Sequence, residues 1–247
     1  MLTIGNEEIR PAHRGELRIL VAPGGPGGLR RVRGYLTADL IRRYAERTKL
    51  VPTVVDLSPT GEDELRTACD ALNIHPPRHT LAVGFDLDEL KGLFTDGARE
   101  PVFDLGVRGD DSSSDPAVDR LSGLAGRWLT VPADPGEAGG EGLDLGQEPL
   151  AVRLEMLGFA GDPAAGLSQW RRRVALWANS PSGAMSRPHS EAIEAAFARD
   201  LDTTAALRVL ADLEADESVA DGVKFETFAA ADRLLGLDLA RDIGKYS

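Results

Sequence analysis

The chain has very little cysteine: one residue, Cys69, in 247. No internal disulfide can form, and a thiolate metal site would have no second thiolate to use. Aromatic residues supply only 5 % of the chain, so a core must be built mainly from leucine, valine and alanine. No apolar run approaches the length that crosses a bilayer, and no basic stretch followed by an apolar run opens the chain. A cytoplasmic location and no membrane partner are therefore expected. Positive charge is also short. Twenty-eight lysines and arginines face 40 acids, for a net charge of −12. Nucleic-acid affinity comes largely from cations that displace counterions from phosphates, so tRNA is disfavoured as a partner.

What is present is ordinary globular material, with 42 % hydrophobic residues. Leu17–Ala22, Leu50–Leu57, Leu81–Phe85, Pro101–Leu105 and Trp128–Val131 read as strands. A helix is expected over the segment carrying Leu36, Leu40, Ile41 and Tyr44 on one face, another from Thr60 to Leu72, and a short one from Asp88 to Phe94. Alternating strands and helices predict βαβ units with a mostly parallel sheet. Residues 134–146 are rich in glycine and acids and read as a linker. Beyond them the pattern is helical, with segments at 150–158, 167–178, 190–201, 203–213 and 225–235. The expected fold class is thus α/β: a reduced Rossmann-type sheet domain over 1–133, the linker, and an α-helical bundle over 147–247.

The candidate site is the loop after the first strand. Gly24, Gly25, Gly27 and Gly28 lead into the first helix, and Arg30, Arg31 and Arg33 follow. A glycine loop that opens a helix at the carboxyl end of a strand presents backbone N–H groups and a helix dipole to an anion. Arginines add charge that suits phosphate or carboxylate. Pro23 and Pro26 remove donors from the same loop, and the opposing reading is a relaxed loop beside solvated arginines. The glycine spacing does not match the dinucleotide fingerprint, which argues against a nicotinamide cofactor. Cys69 reads as a small core residue. His75 and His79, beside Pro76–Pro77, read as surface turn residues. Ser186 and Ser190 sit where a helix starts and read as caps. Arg171–Arg173 with Trp170 and Trp177 could stack a base, but packing between helices is the better reading.

Several segments in order carry a family resemblance. Arg33, Tyr35, Asp39, Arg42, Arg43 and Tyr44 resemble the helix after the first signature of cysteinyl-tRNA synthetases. Asp70-Ala71-Leu72-Asn73-Ile74-His75-Pro76-Pro77, Val102-Phe103-Asp104, Glu148-Pro149-Leu150-Ala151-Val152-Arg153-Leu154, Arg199–Leu207 and Leu234-Leu235-Gly236-Leu237 resemble later segments of the same family. The Ala-Val-Arg-Leu and Leu-Asp-Thr stretches look closer to the mycothiol cysteine ligase branch. The resemblance spans about residues 17–240 and implies a class I synthetase-like (HUP-like) scaffold.

The departures are systematic. Where the family carries His-Ile-Gly-His, this chain reads Gly28-Leu29-Arg30-Arg31. The lysine-bearing second signature is replaced by Gly139–Gly146, which has no lysine. The family's first zinc ligand falls at Ala22, and no zinc is expected. The resemblance therefore implies a degenerate paralogue, a pseudoenzyme with no catalytic residue assigned. It would act as a binding or accessory protein that takes ATP or another phosphate-containing ligand. Loss of a central segment implies exposed sheet edge and hence a homodimer or a protein partner. The alternative is an ATP-dependent amide-forming ligase or nucleotidyl transferase that uses Arg30 and Arg31 in place of the signature histidines.

Overall fold

In the computed structural model, the residues described are 2–5, 7–11, 15–22, 28–57, 63–81, 86, 90, 92–94, 102–109, 121, 123–131 and 145–246, with backbone only for 28–30 and 63–64. Two compact units emerge. One comprises Met1–Glu7, Ala71–Asn73 and Leu145–Ser247, the other Glu8–Asp70 and Ile74–Asp144.

The second unit holds a five-stranded, all-parallel sheet. After a two-stranded ribbon of β1 (Thr3–Ile4) and β2 (Glu7–Glu8), the chain enters β3 (Glu16–Ala22), α1 (Gly28–Arg47), β4 (Val51–Leu57), α2 (Asp63–Ala71), β5 (His79–Leu81), β6 (Leu105–Gly109) and β7 (Trp128–Val131). The strand order is β5-β4-β3-β6-β7. β3 is central, and from Leu17 to Ala22 every residue is buried. A near-continuous apolar run is what a strand covered on both faces requires. The fold is α/β with a Rossmann-like sheet.

The two faces of the sheet are built differently. Leu36, Leu40, Ile41 and Tyr44, the stripe expected from their spacing, are buried on α1, as is Val32. On one sheet face Leu20, Ala22, Val55, Leu57 and Leu81 join Leu90, Phe94, Phe103 and Leu121 in a continuous core, with Trp128 packed against it. Pro52 is tolerated at the start of β4 because β5 pairs only with Val55–Leu57 and leaves that end of the strand without a second neighbour.

Two strands depart from expectation. The fourth strand of the sheet is Leu105–Gly109, not Pro101–Leu105; Phe103 makes only an isolated bridge to Ala125. Two glycines and an arginine hide β6 from a propensity reading. β5 begins at His79, two residues early, and Ala82–Phe85 lie outside the described residues. Among those of the expected 88–94 helix that are described, Leu90 and Gly92 are helical.

The first unit is helical: α3 (Pro149–Met156), α4 (Pro163–Trp177), α5 (Arg187–Ala198), α6 (Thr203–Ala215), α7 (Asp221–Leu235) and a 3-10 turn at Leu239–Asp242. Asp162 caps α4, accepting from the Ala164 and Ala165 amides at 2.9 and 3.2 Å, with Pro163 in the first turn. Asp202 caps α6 through Ala205. Gly236 ends α7 in the left-handed conformation, φ 68°, a position that favours glycine at a helix end. Trp170 and Trp177 both meet Phe228 edge to face, at 5.7 and 5.1 Å between ring centroids. The two tryptophans are therefore core residues and do not form a base-stacking platform.

Candidate functional site at the carboxyl edge of the sheet

In a parallel sheet the crevice forms where successive connections leave the central strands in opposite directions. Here that point is the carboxyl end of β3 and β6. From β3 the chain crosses to β4 on one side; β6 lies on the other. Ala22 pairs in register with Arg108, and Arg108 with Thr130. These three residues close the edge on one face of the sheet.

Gly28 opens α1, as the candidate site requires. Gly24, Gly25 and Gly27 lie outside the described residues. Arg30 lies on the first turns of α1, and its side chain is not among those described. Arg31 and Arg33 are half-buried, and each engages a partner, so neither belongs to a freely solvated face. Ala22 ends β3 fully buried, presenting a methyl group. Among the described residues no group of three histidines, cysteines or acids could hold a metal ion.

Arg108 is not marked as a site residue by the sequence alone. Its Nε donates to Thr130 Oγ1 at 3.3 Å, and its guanidinium carbon stands 5.7 Å from the centroid of the Trp128 ring. The indole in turn lies across Gly106: a Cβ there would fall 2.6 Å from Trp128 Cδ2. Glycine at 106 thus serves the indole's close approach. The signal for this constellation was an arginine between two glycines at a strand end. That pattern makes sense only once the cross-strand register is known.

Other singled-out residues turn out to be structural. Asp39, whose side chain is inaccessible, accepts from Arg43 Nε at 2.7 Å, Arg42 Nη2 at 3.0 Å and the His75 amide at 3.3 Å. It also lies 3.2 Å from His75 Nδ1. The cluster fastens α1 to the turn carrying Pro76–Pro77. Asp104 accepts from the Arg18 amide at 2.8 Å and starts the pairing of β6 with β3. Arg18 is itself buried, paired to Glu16 at 2.9 Å and seated 3.9 Å over the Phe94 ring. Cys69 is buried as expected. Its thiol is pushed up to about 12 by burial first, then by the negative charges of Asp70, Asp56 and Asp39.

Two expectations need correction. Ser186 does stand at the N-cap of α5, but its side chain makes no capping bond; Oγ instead meets His189 Nδ1 at 2.6 Å. The Ser190 hydroxyl oxygen is buried with no hydrogen-bond partner among the described residues. Arg171 differs from its exposed neighbours Arg172 and Arg173. It is buried and donates to the Leu237 and Asp238 carbonyls at 3.0 and 3.1 Å, with Glu148 Oε2 3.1 Å away.

An open groove of about 630 Å³ runs along α4, lined by Ala165, Ser168, Gln169, Arg172, Arg173 and Leu176. Its cations are engaged: Arg173 lies 3.6 Å from Glu214, and Arg172 lies over Tyr246. It brings together no reactive set of side chains. Among the described residues no helix is long and apolar enough to cross a membrane.

No family model matches this chain, and no curated protein matches it either.

Proposed function

We propose that this protein is a non-catalytic paralogue of the cysteinyl-tRNA synthetase and mycothiol cysteine ligase type, and that it binds a phosphate-bearing ligand at the carboxyl edge of its sheet. The family reading is supported by how the resembling segments meet. Arg153, from the Glu148–Leu154 segment, donates through Nε to the Leu235 carbonyl at 2.6 Å. Its Nη1 donates to the Leu72 and Asn73 carbonyls at 2.8 and 3.1 Å. Asn73 Nδ2 donates to the Gly236 carbonyl at 2.9 Å. Three separately resembling segments converge on one fully buried guanidinium, which is what a shared scaffold requires of them.

The observation that carries the binding reading is the sheet order. The glycine-rich loop joins the central strand to a 20-residue helix that begins at Gly28, at the edge where open α/β sheets hold ligands. Gly24, Gly25, Gly27 and Gly28 would offer backbone donors, and Arg30, Arg31 and Arg33 the positive field. Amino-acid activation needs more: groups that grip ATP and stabilise charge developing at the transferred phosphate. Both signature motifs that would do so are replaced in this sequence.

The test is a pyrophosphate-exchange assay with ATP, magnesium and a panel of amino acids, run beside thermal unfolding with ATP, AMP and phosphate. No exchange is expected, with a rise in Tm for at least one phosphate compound. Exchange with any amino acid overturns the reading in favour of a ligase or nucleotidyl transferase using Arg30 and Arg31. Absence of any thermal shift overturns the binding half. We further propose self-association or a protein partner. The edge strand β7 leaves Trp128, Leu129 and Val131 only half-buried. Light scattering after gel filtration checks this, and a monomer at micromolar concentration contradicts self-association.

A further inference from the structure

We infer that Arg108 is an oxyanion-binding residue of this protein, and that the ligand at the carboxyl edge carries a phosphate or carboxylate group which the two terminal nitrogens of Arg108 grip together. The inference rests on the reading of that edge as an anion site and adds to it a residue of β6.

Position comes first. Arg108 is the penultimate residue of β6 and is cross-strand from Ala22, the last residue of β3. It stands directly at the switch point of the sheet, on the same face as Thr130.

Preorganisation comes second. A free arginine loses rotamer entropy whenever it is fixed by a ligand. Here the loss is already met. Nε is spent on Thr130 Oγ1 and the guanidinium lies beside the Trp128 ring. The ring cannot drift inward, because it is already in contact with the backbone of Gly106.

The third argument is what remains unspent. Among the described residues no carboxylate lies within 4.0 Å of Arg108, and neither Nη1 nor Nη2 makes a hydrogen bond. This occurs in a chain with 12 more acids than bases. Other arginines of the chain show the usual outcome: Arg18 takes Glu16, Arg42 and Arg43 take Asp39, and Arg171 takes Glu148. The indole contact does not explain the arginine alone. Such a contact at a half-exposed site is worth about 0.5–1 kcal/mol. Both Nη edges stay available, in the fork geometry that matches two oxygens of one oxyanion.

Calorimetric titration of the full chain with AMP, pyrophosphate, inorganic phosphate and citrate tests the inference; the first three present phosphate, the last carboxylate only. Wild type is expected to bind at least one of them. Arg108→Gln should weaken that binding on the order of tenfold or more, since it removes a charge-assisted bidentate contact, while Arg108→Lys recovers part of it. Arg208→Gln, which removes one exposed charge on α6, should change nothing. Equal affinity in wild type and Arg108→Gln overturns the assignment of Arg108 and leaves the anion site standing, the more so if Arg31→Gln does weaken binding. No binding of any probe by wild type at millimolar concentration overturns the anion site and the assignment together.

Discussion

The helical unit and the sheet unit both place cations out of full contact with water, yet Arg108 of the sheet unit is used differently from the rest. In the helical unit each buried cation is consumed by backbone carbonyls. Arg153 takes Leu72, Asn73 and Leu235; Arg171 takes Leu237 and Asp238; Lys224 takes the Glu214 carbonyl at 2.9 Å. These carbonyls end helices or belong to the turns that follow them, where the backbone has acceptors left over and the dipole favours positive charge. In the sheet unit Arg108 is held in place by one hydroxyl and one ring, with both ends of its fork left over. A buried cation whose bonds go to backbone carbonyls is a structural clamp. A cation fixed in place with donors unused is poised for something that binds.

Breaking the clamp should have the largest effect. Arg153→Ala strands three carbonyl acceptors, two of them buried, and empties a fully buried volume, so it should cost about 3 kcal/mol or more of stability, read as a drop in denaturant midpoint. Full-stability Arg153→Ala would mean that the clamp is ornamental. Gly106→Ala comes next. Its new methyl meets the indole and should cost about 1–3 kcal/mol, with a change in tryptophan fluorescence that reports the displaced ring. Arg108→Gln should be the converse of Arg153→Ala: a stability change within about 0.5 kcal/mol, as for a partly exposed surface residue, together with the loss of oxyanion affinity. A large stability loss there would move Arg108 into the structural class.

The smallest effect concerns Cys69. Burial holds its pKa above that of an unfolded thiol. The neutral thiol therefore favours the folded state in full below pH 9, and that contribution is lost as the pH rises from 9 towards 12. At neutral pH the native thiol should resist a disulfide reagent that reacts at once with the denatured chain; rapid native labelling would contradict its buried position.

The same contrast explains what could be read from the sequence. Helices α3 to α7 and strands β3 and β4 were legible because their apolar spacing is regular and tertiary contacts agree with it. Strand β6 was not, because Gly106 and Arg108 are poor strand formers placed for the sake of Trp128 and the sheet edge. The clamps were invisible for a similar reason. Arg153 and Arg171 look like surface charges in a helical repeat, and only their carbonyl partners, about 65 to 80 residues distant in sequence, reveal them as core. Ser186 looked like a cap by position, yet its hydroxyl turns to His189. Of the proposed site, the start of α1 at Gly28 was legible; Arg108 was not, since register across β3, β6 and β7 has no one-dimensional trace.

A crystal soaked with AMP or pyrophosphate bears most directly on the claim that this scaffold holds an oxyanion without activating an amino acid. Phosphate density is expected at the carboxyl edge of β3 and β6, within hydrogen-bonding distance of the terminal nitrogens of Arg108 and facing the start of α1. An empty edge at saturating ligand, or density seated anywhere else on the protein, would contradict it.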